Sequence, residues 1–179
     1  MTTLNLKDYN FYLWTSKTPP IKYLIELLRD LLTEGNLECT PEAIKIQAVD
    51  SSRVVLIHSK LISEKFEEYY CPEKIVLGLN LEDTFKIIKN MENNDTLKLF
   101  VKKDNPNRLG IETYCKEENT CDTTFINLMD LPHEKLSIPS QTFEKVISLP
   151  SNRFQKICRI IYNFSEKIEI ESEGNKLKF

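Results

Sequence analysis

Glycine is scarce in this chain, with four residues in 179. That leaves no Gly-rich loop to cradle phosphates and no flexible Gly linker. Histidine is scarcer still: His58 and His133 stand alone, with no nucleophile or carboxylate cluster placed beside either by any motif. His-x-x-x-His, Gly-x-Gly-x-x-Gly and Walker sequences are all missing, so no catalytic chemistry is indicated. Glu67, Glu68 and Glu73 read as solvating loop residues rather than general acids. No apolar run approaches the ~20 residues of a membrane helix. Residues 1–10 are too polar for a signal peptide, and an intracellular protein is expected. The five cysteines are Cys39, Cys71, Cys115, Cys121 and Cys158. An odd number without Cys-x-x-Cys spacing argues against a zinc site or a disulfide framework. Most are expected to be small buried apolar side chains, kept as thiols. Cys115 and Cys121 flank a polar turn and could meet across a hairpin. No metal or cofactor is expected.

What the chain does have is a hydrophobic fraction of 41%, enough for a real core in one domain or one and a half. Its net charge of −3 hides an asymmetry. Lys22, Arg29, Lys86, Lys89, Arg153, Lys156 and Arg159 all fall on three expected helices. Subtracting those seven charges from the total leaves −10 on the rest of the chain. Such a protein can sit beside a polyanion on one surface without adhering to it everywhere.

The three helices belong to a repeat of strand, capped amphipathic helix and two further strands. The first copy runs from the strand at 11–14 through a helix over 19–32 to a strand over 43–49. Thr18 is the expected N-cap, Pro19 suits the first helical position, and Gly35 is the expected stop. Ile21, Leu24, Ile25, Leu28, Leu31 and Leu32 form its apolar stripe. Lys22 and Arg29, seven apart, share the opposite face, with Glu26 between them. The second copy runs from 74–77 through a helix over 81–91 to 97–101, with Asn80 as cap and Asp83 three residues on. The third runs from 145–148 through a helix over 152–162 to 167–171. It opens at Ser151 and is expected to bury Phe154, Ile157, Cys158 and Ile161. Between helices the period changes to two, as in 44–48, 97–101 and 168–171. Turn signals fall at 40–42, 93–95 and 104–107. His58, in an apolar strand, is expected to be packed. Antiparallel sheet with helices on one face makes this an α+β fold. The Pro-containing stretch 131–140 reads as an extended connector between two domains.

Four blocks, in order, carry a resemblance. They are Ala48-Val49-Asp50-Ser51-Ser52-Arg53-Val54; Tyr70-Cys71-Pro72-Glu73-Lys74 with Leu77-Gly78-Leu79-Asn80-Leu81; Leu128-Met129-Asp130-Leu131 with Leu136-Ser137-Ile138-Pro139; and Phe154-Gln155-Lys156-Ile157-Cys158-Arg159. Together they resemble the sliding DNA clamps of the proliferating cell nuclear antigen family, collinearly over nearly the whole chain. The resemblance implies the DNA-clamp (processivity) fold of repeated β-α-β-β units, helices on one face of antiparallel sheets. It implies a first clamp domain over 1–127, an interdomain connector over 128–141 and part of a second domain over 142–179.

The family joins three chains into a ring around duplex DNA and tethers replication and repair proteins. The resemblance therefore implies sequence-independent DNA contact by Lys22, Arg29, Lys86, Lys89, Arg153, Lys156 and Arg159. It implies a client-peptide pocket of Val49, Arg53, Val54, Leu136, Ile138 and Pro139. It implies a subunit interface on the strand 120–127, with Thr124 and Ile126. The partners implied are DNA, a polymerase, a clamp loader, other client proteins and two further copies in a homotrimer, without a membrane. The place implied is a nucleus or viral replication compartment. The family's fourth unit has no counterpart after Phe179, so ring closure and full client binding require a longer chain. Thr124 stands where the family usually carries Tyr, Arg53 in place of its His, and Tyr70 in place of an Arg. The family's ubiquitin-carrying lysine aligns with Gly174, with Lys176 nearby. The alternative reading is a clamp-fold protein-interaction module that never encircles DNA.

Overall fold

The computed structural model describes residues 5–132, 142–165, 167–174 and 176–179. Two compact units divide the chain, Met1–Ser137 and Ile138–Phe179. In the first, the order is β1 (Tyr9–Thr15), α1 (Pro19–Leu31), β2 (Glu34–Thr40), β3 (Ala43–Val49), β4 (Leu56–Ile62) and β5 (Glu68–Tyr70), then β6 (Ile75–Asn80), α2 (Leu81–Ile88), β7 (Thr96–Lys102), β8 (Arg108–Cys115) and β9 (Thr120–Asn127). The expected α+β architecture is present, and the copies are longer than the sequence pattern indicated, the first by two strands and the second by one. All pairings are antiparallel. One sheet runs β5-β1-β7-β8-β9 and the other β4-β3-β2-β6. The leading strand of each copy is exchanged: β1 lies against β7, and β6 against β2.

Both sheets and both helices share one core. Phe11, Leu13, Leu97, Val101, Leu109 and Ile111 come from the first sheet, and Leu37, Ile44, Ile46, Leu77 and Leu79 from the second. The helices close it with Ile21, Ile25 and Leu28 of α1 and Leu81 and Ile88 of α2. The capping of α2 follows the sequence, since Asn80 Oδ1 accepts from the Asp83 amide at 2.9 Å. The helix stops earlier than expected, at Ile88. For α1 two expectations are corrected. Thr18 is itself helical and makes no side-chain cap; its hydroxyl donates to the Glu92 carbonyl at 3.2 Å, and Pro19 and Pro20 start the helix. Gly35 does not stop it. Leu32 is already extended, and Gly35 lies within β2 opposite Leu79, because the chain turns directly into sheet pairing.

His58 is exposed rather than packed, since the inward face of β4 is the one carrying Ile57 and Leu61. Cys39 and Cys71 are buried, Cys115 is half-buried, Cys121 and Cys158 are exposed, and all five are free. The hairpin register pairs Cys121 with Tyr114 and Cys115 with Thr120, which sends the two thiols to opposite faces.

The second unit holds α3 (Ser151–Tyr162), β10 (Glu171–Glu173) and β11 (Lys176–Lys178). Residues 145–148 and 167–170 form no strand, contrary to the strands expected there. Pro150, not Ser151, occupies the cap position of α3. Ile157 and Ile161 are half-buried while Phe154 and Cys158 are exposed. Alternation becomes a strand only where a partner ladder exists, and one short two-stranded hairpin cannot cover a helix stripe.

Register places Tyr12, Phe100, Gly110 and Phe125 in one row across the first sheet. The Phe100 ring lies across Gly110, where a Cβ would meet it at 2.3 Å, and it meets Phe125 edge-on at 5.9 Å between centroids. Gly110→Ala should therefore destabilise the fold by about 1–3 kcal/mol. A urea titration checks this, and Phe100→Leu in the same chain should recover part of the loss. The turn into α1 is held by Glu67, which accepts from the Ser16 hydroxyl at 2.6 Å and the Ser16 amide at 3.3 Å. These bonds, the hydroxyl first, lower its carboxyl from 4.5 to about 2. A carboxylate depressed on folding stabilises above its unfolded value and stops doing so as pH falls through the folded one. Glu67→Gln should thus flatten the loss of thermal stability between pH 4.5 and 2, and leave the pH 6–8 plateau nearly flat as before.

Candidate functional site

The helices α1 and α2 pack antiparallel, and their expected DNA-facing cations meet different fates. Lys22, in the first turn of α1, is half-buried and donates from Nζ to the Met91 carbonyl beyond the end of α2, at 2.7 Å. Arg29, in the last turn, reaches Asp30 at 2.8 Å and Glu82 at 3.6 Å. Its guanidinium stacks 4.3 Å above the centroid of Phe85. By contrast Lys86 is exposed and, among the described residues, pairs only with Asp83 one turn earlier, at 3.2 Å. Lys89 is exposed with no ion-pair partner among the described residues. In the second unit Arg153, Lys156 and Arg159 are all exposed along α3, and no described carboxylate pairs with them.

Of the expected client pocket, Val49 and Arg53 line a recess of about 390 Å³ together with Asn36, Ala48, Asp50, Leu131 and Pro132. Val54 does not line it; its side chain is 82% exposed on the turn. Leu136, Ile138 and Pro139 lie outside the described residues, as does His133. The recess is shaped by a turn that Asp50 organises. Its carboxylate accepts from the Ser52 hydroxyl and from the amides of Val54 and Val55, at 2.8 and 2.7 Å. Those bonds, the Ser52 hydroxyl first, hold the Asp50 carboxyl below the usual carboxylate value. They let Arg53 adopt a left-handed φ of 57°.

Two residues that the sequence pattern did not single out place the other wall. The Met129 amide donates to the Gly78 carbonyl at 2.9 Å, laying the segment after β9 along β6. A Cβ on Gly78 would stand 2.1 Å from the Met129 carbonyl oxygen, so glycine alone permits the approach. Asn36 Nδ2 donates to the carbonyls of Leu131 and Pro132 at 3.4 and 3.2 Å. The scarcity of glycine is a usable signal for Gly78; nothing in the sequence marks Asn36.

The expected subunit-interface strand is β9, a sheet edge eight residues long. Thr124 is exposed on it and Ile126 half-buried. Phe125, which the sequence pattern also did not single out, points to the other face and remains 49% exposed. Among the described residues no group of three or more His, Cys, Asp or Glu could hold a metal ion. No described helix is long and apolar enough to cross a membrane.

A family model, "Proliferating cell nuclear antigen, N-terminal domain", matches residues 15–135. The chain belongs to the proliferating cell nuclear antigen family. It is similar to the Proliferating cell nuclear antigen of Dictyostelium discoideum, with 31% identity over 89% of this chain and 62% of that protein. It is also similar to that of Caenorhabditis elegans, at 34% over 84% and 57%. The "Probable DNA polymerase sliding clamp 1" of Paramecium bursaria Chlorella virus 1 is 28% identical over 94% of this chain and 64% of its own length. The chain thus spans about three fifths of the length of the curated relatives it matches.

For this family member the recess wall is the sharpest point of test. Gly78→Ala should destabilise the chain by about 1–3 kcal/mol and expose the Met129 amide to hydrogen exchange. Unchanged protection at Met129 would contradict the close approach as the reason for glycine.

Proposed function

We propose that this chain acts as part of a sliding clamp: a non-enzymatic scaffold that encircles duplex DNA and tethers replication and repair proteins in a nucleus or viral replication compartment. The observation that carries the reading is the pairing of a helix surface with a long open sheet edge in one doubled unit. In this reading the exposed helix cations Lys86, Lys89, Arg153, Lys156 and Arg159 touch phosphates transiently. Such contacts carry no sequence information, and that is what sliding requires. The edge β9, with Thr124, Ile126 and Phe125, receives a strand of a neighbouring copy, and three copies close a ring. The stretch 128–141 is the connector between clamp domains. In this reading client peptides insert an apolar anchor in a pocket to which Val49 and Arg53 belong, and the connector residues Leu136, Ile138 and Pro139 are expected to take part in holding them. A polymerase and a clamp loader are among those clients.

The test has two parts. Replacing Arg153, Lys156 and Arg159 together by Ala should make the plot of log affinity for duplex DNA against log salt shallower, by about 0.9 for each phosphate that is no longer neutralised. An unchanged slope would sink the DNA reading. For a chain that also carries the family's fourth unit, light scattering across a concentration series should give a trimer mass. A monomer at every concentration favours the alternative, an interaction module that does not encircle DNA.

A further inference from the structure

The seven helix cations divide by what they touch. On α1 the residues turned away from the core are Pro20, Tyr23, Leu27 and Asp30. Tyr23 and Leu27 are 63% and 53% exposed, and this stripe carries no cation and one carboxylate. The two cations of α1 point sideways instead, into α2. Lys22 satisfies the Met91 carbonyl just past the C-terminal end of α2, where helix polarity favours a positive charge. Arg29 is neutralised by Asp30 and Glu82, lies over the Phe85 ring, and has its Nε buried without an acceptor. To reach a phosphate it would have to give up the ring and both carboxylates at once. Lys86 gives up only an exposed pair with Asp83, which is worth little in water, and Lys89 gives up nothing described.

We infer that the phosphate contacts of the first unit belong to α2 alone, through Lys86 and Lys89, while Lys22 and Arg29 are positioning residues that hold α2 against α1. The inference rests on the DNA reading for its first half and on the helix packing for its second. A polyanion beside this unit is therefore drawn toward α2, and α1 meets it with a tyrosine and a leucine. Arg29 and Lys22 look equivalent to Lys86 and Lys89 only when spacing along the sequence is considered.

The experiment compares Lys86→Ala/Lys89→Ala with Lys22→Met and Arg29→Met, reading both melting temperature and the salt dependence of duplex DNA affinity. The α2 pair should make the slope shallower by about 1.8 and leave the melting temperature almost unchanged. Lys22→Met and Arg29→Met should each lower the melting temperature by a few degrees without altering the slope. Arg29→Lys keeps the charge but loses the fork and the ring stacking, so it should lose stability as well. Arg29→Met with full stability, or with a slope shallower by about 0.9, overturns the inference while the DNA reading stands. If the unaltered chain shows no salt-dependent DNA binding, the DNA reading fails and the thermal arm decides. Non-additive losses in an Arg29→Met/Glu82→Gln cycle then support the packing role, and strictly additive ones overturn it.

Discussion

Everything in the first unit depends on the exchange of leading strands. β1 opens the first copy but is hydrogen-bonded to β7 of the second, and β6 opens the second but is bonded to β2 of the first. Neither copy can complete a sheet from its own residues. Each must lend a strand, and the loan forces both sheets and both helices around one set of buried side chains. A helix that follows a lent strand has to cross back over the core to reach its own sheet, so α1 and α2 end up side by side. Two three-residue clusters from the helices, Ile21-Ile25-Leu28 and Leu81-Thr84-Ile88, then lie over the same apolar interior. A single large core of this kind stabilises more per residue than two small ones would.

The exchange also decides which edges stay open. In the first sheet the lent strand β1 is flanked by β5, which follows β4 in the chain. In the second sheet the lent strand β6 is flanked by the bridge at Met129, which follows β9. The tail of each copy thus covers the strand that its own copy lent out. Among the described residues the long strands left at sheet edges are β4 and β9, with the three-residue β5 at the other edge of the first sheet. Open edges invite pairing. The long edges β4 and β9 occupy equivalent places in the two copies, each following the second strand after its helix.

Local structure was legible where one short signal fixes it. The apolar stripes gave both helices of the first unit, and Asn80 with Asp83 gave the cap of α2. Collinear motifs gave the family and with it the fold. Three things were not legible. The strand Glu34–Thr40 follows the helix so closely that Gly35 read as a stop, and its polar residues mask the alternation. The fate of Lys22 and Arg29 depends on where a second helix lies, which spacing within one helix does not contain. Among the described residues the strand expected over 145–148 and the alternation over 168–170 have no ladder to join, and a strand is a property of a pair.

The doubled fold also allows two equivalent recesses to be compared. One lies between the end of α1, the start of β2 and the β3–β4 turn. The other lies between the end of α2, the start of β7 and the β8–β9 turn. They differ in charge. The first is lined by Ala48, Val49, Leu131 and Pro132 together with Glu34, Asp50 and Arg53, so its carboxylates are fewer and partly balanced, and an apolar anchor placed against its apolar residues exchanges water for apolar contact. The second is lined by Glu92, Asp95, Glu117, Glu118 and Asp122 with no Lys or Arg among its lining residues. An apolar anchor there would strip water from several carboxylates with nothing to replace it, and a polyanion would be repelled outright. The two recesses differ in volume, about 390 and 540 Å³, and under the proposed clamp reading their side-chain charge favours a peptide anchor at the first and disfavours both an anchor and DNA at the second.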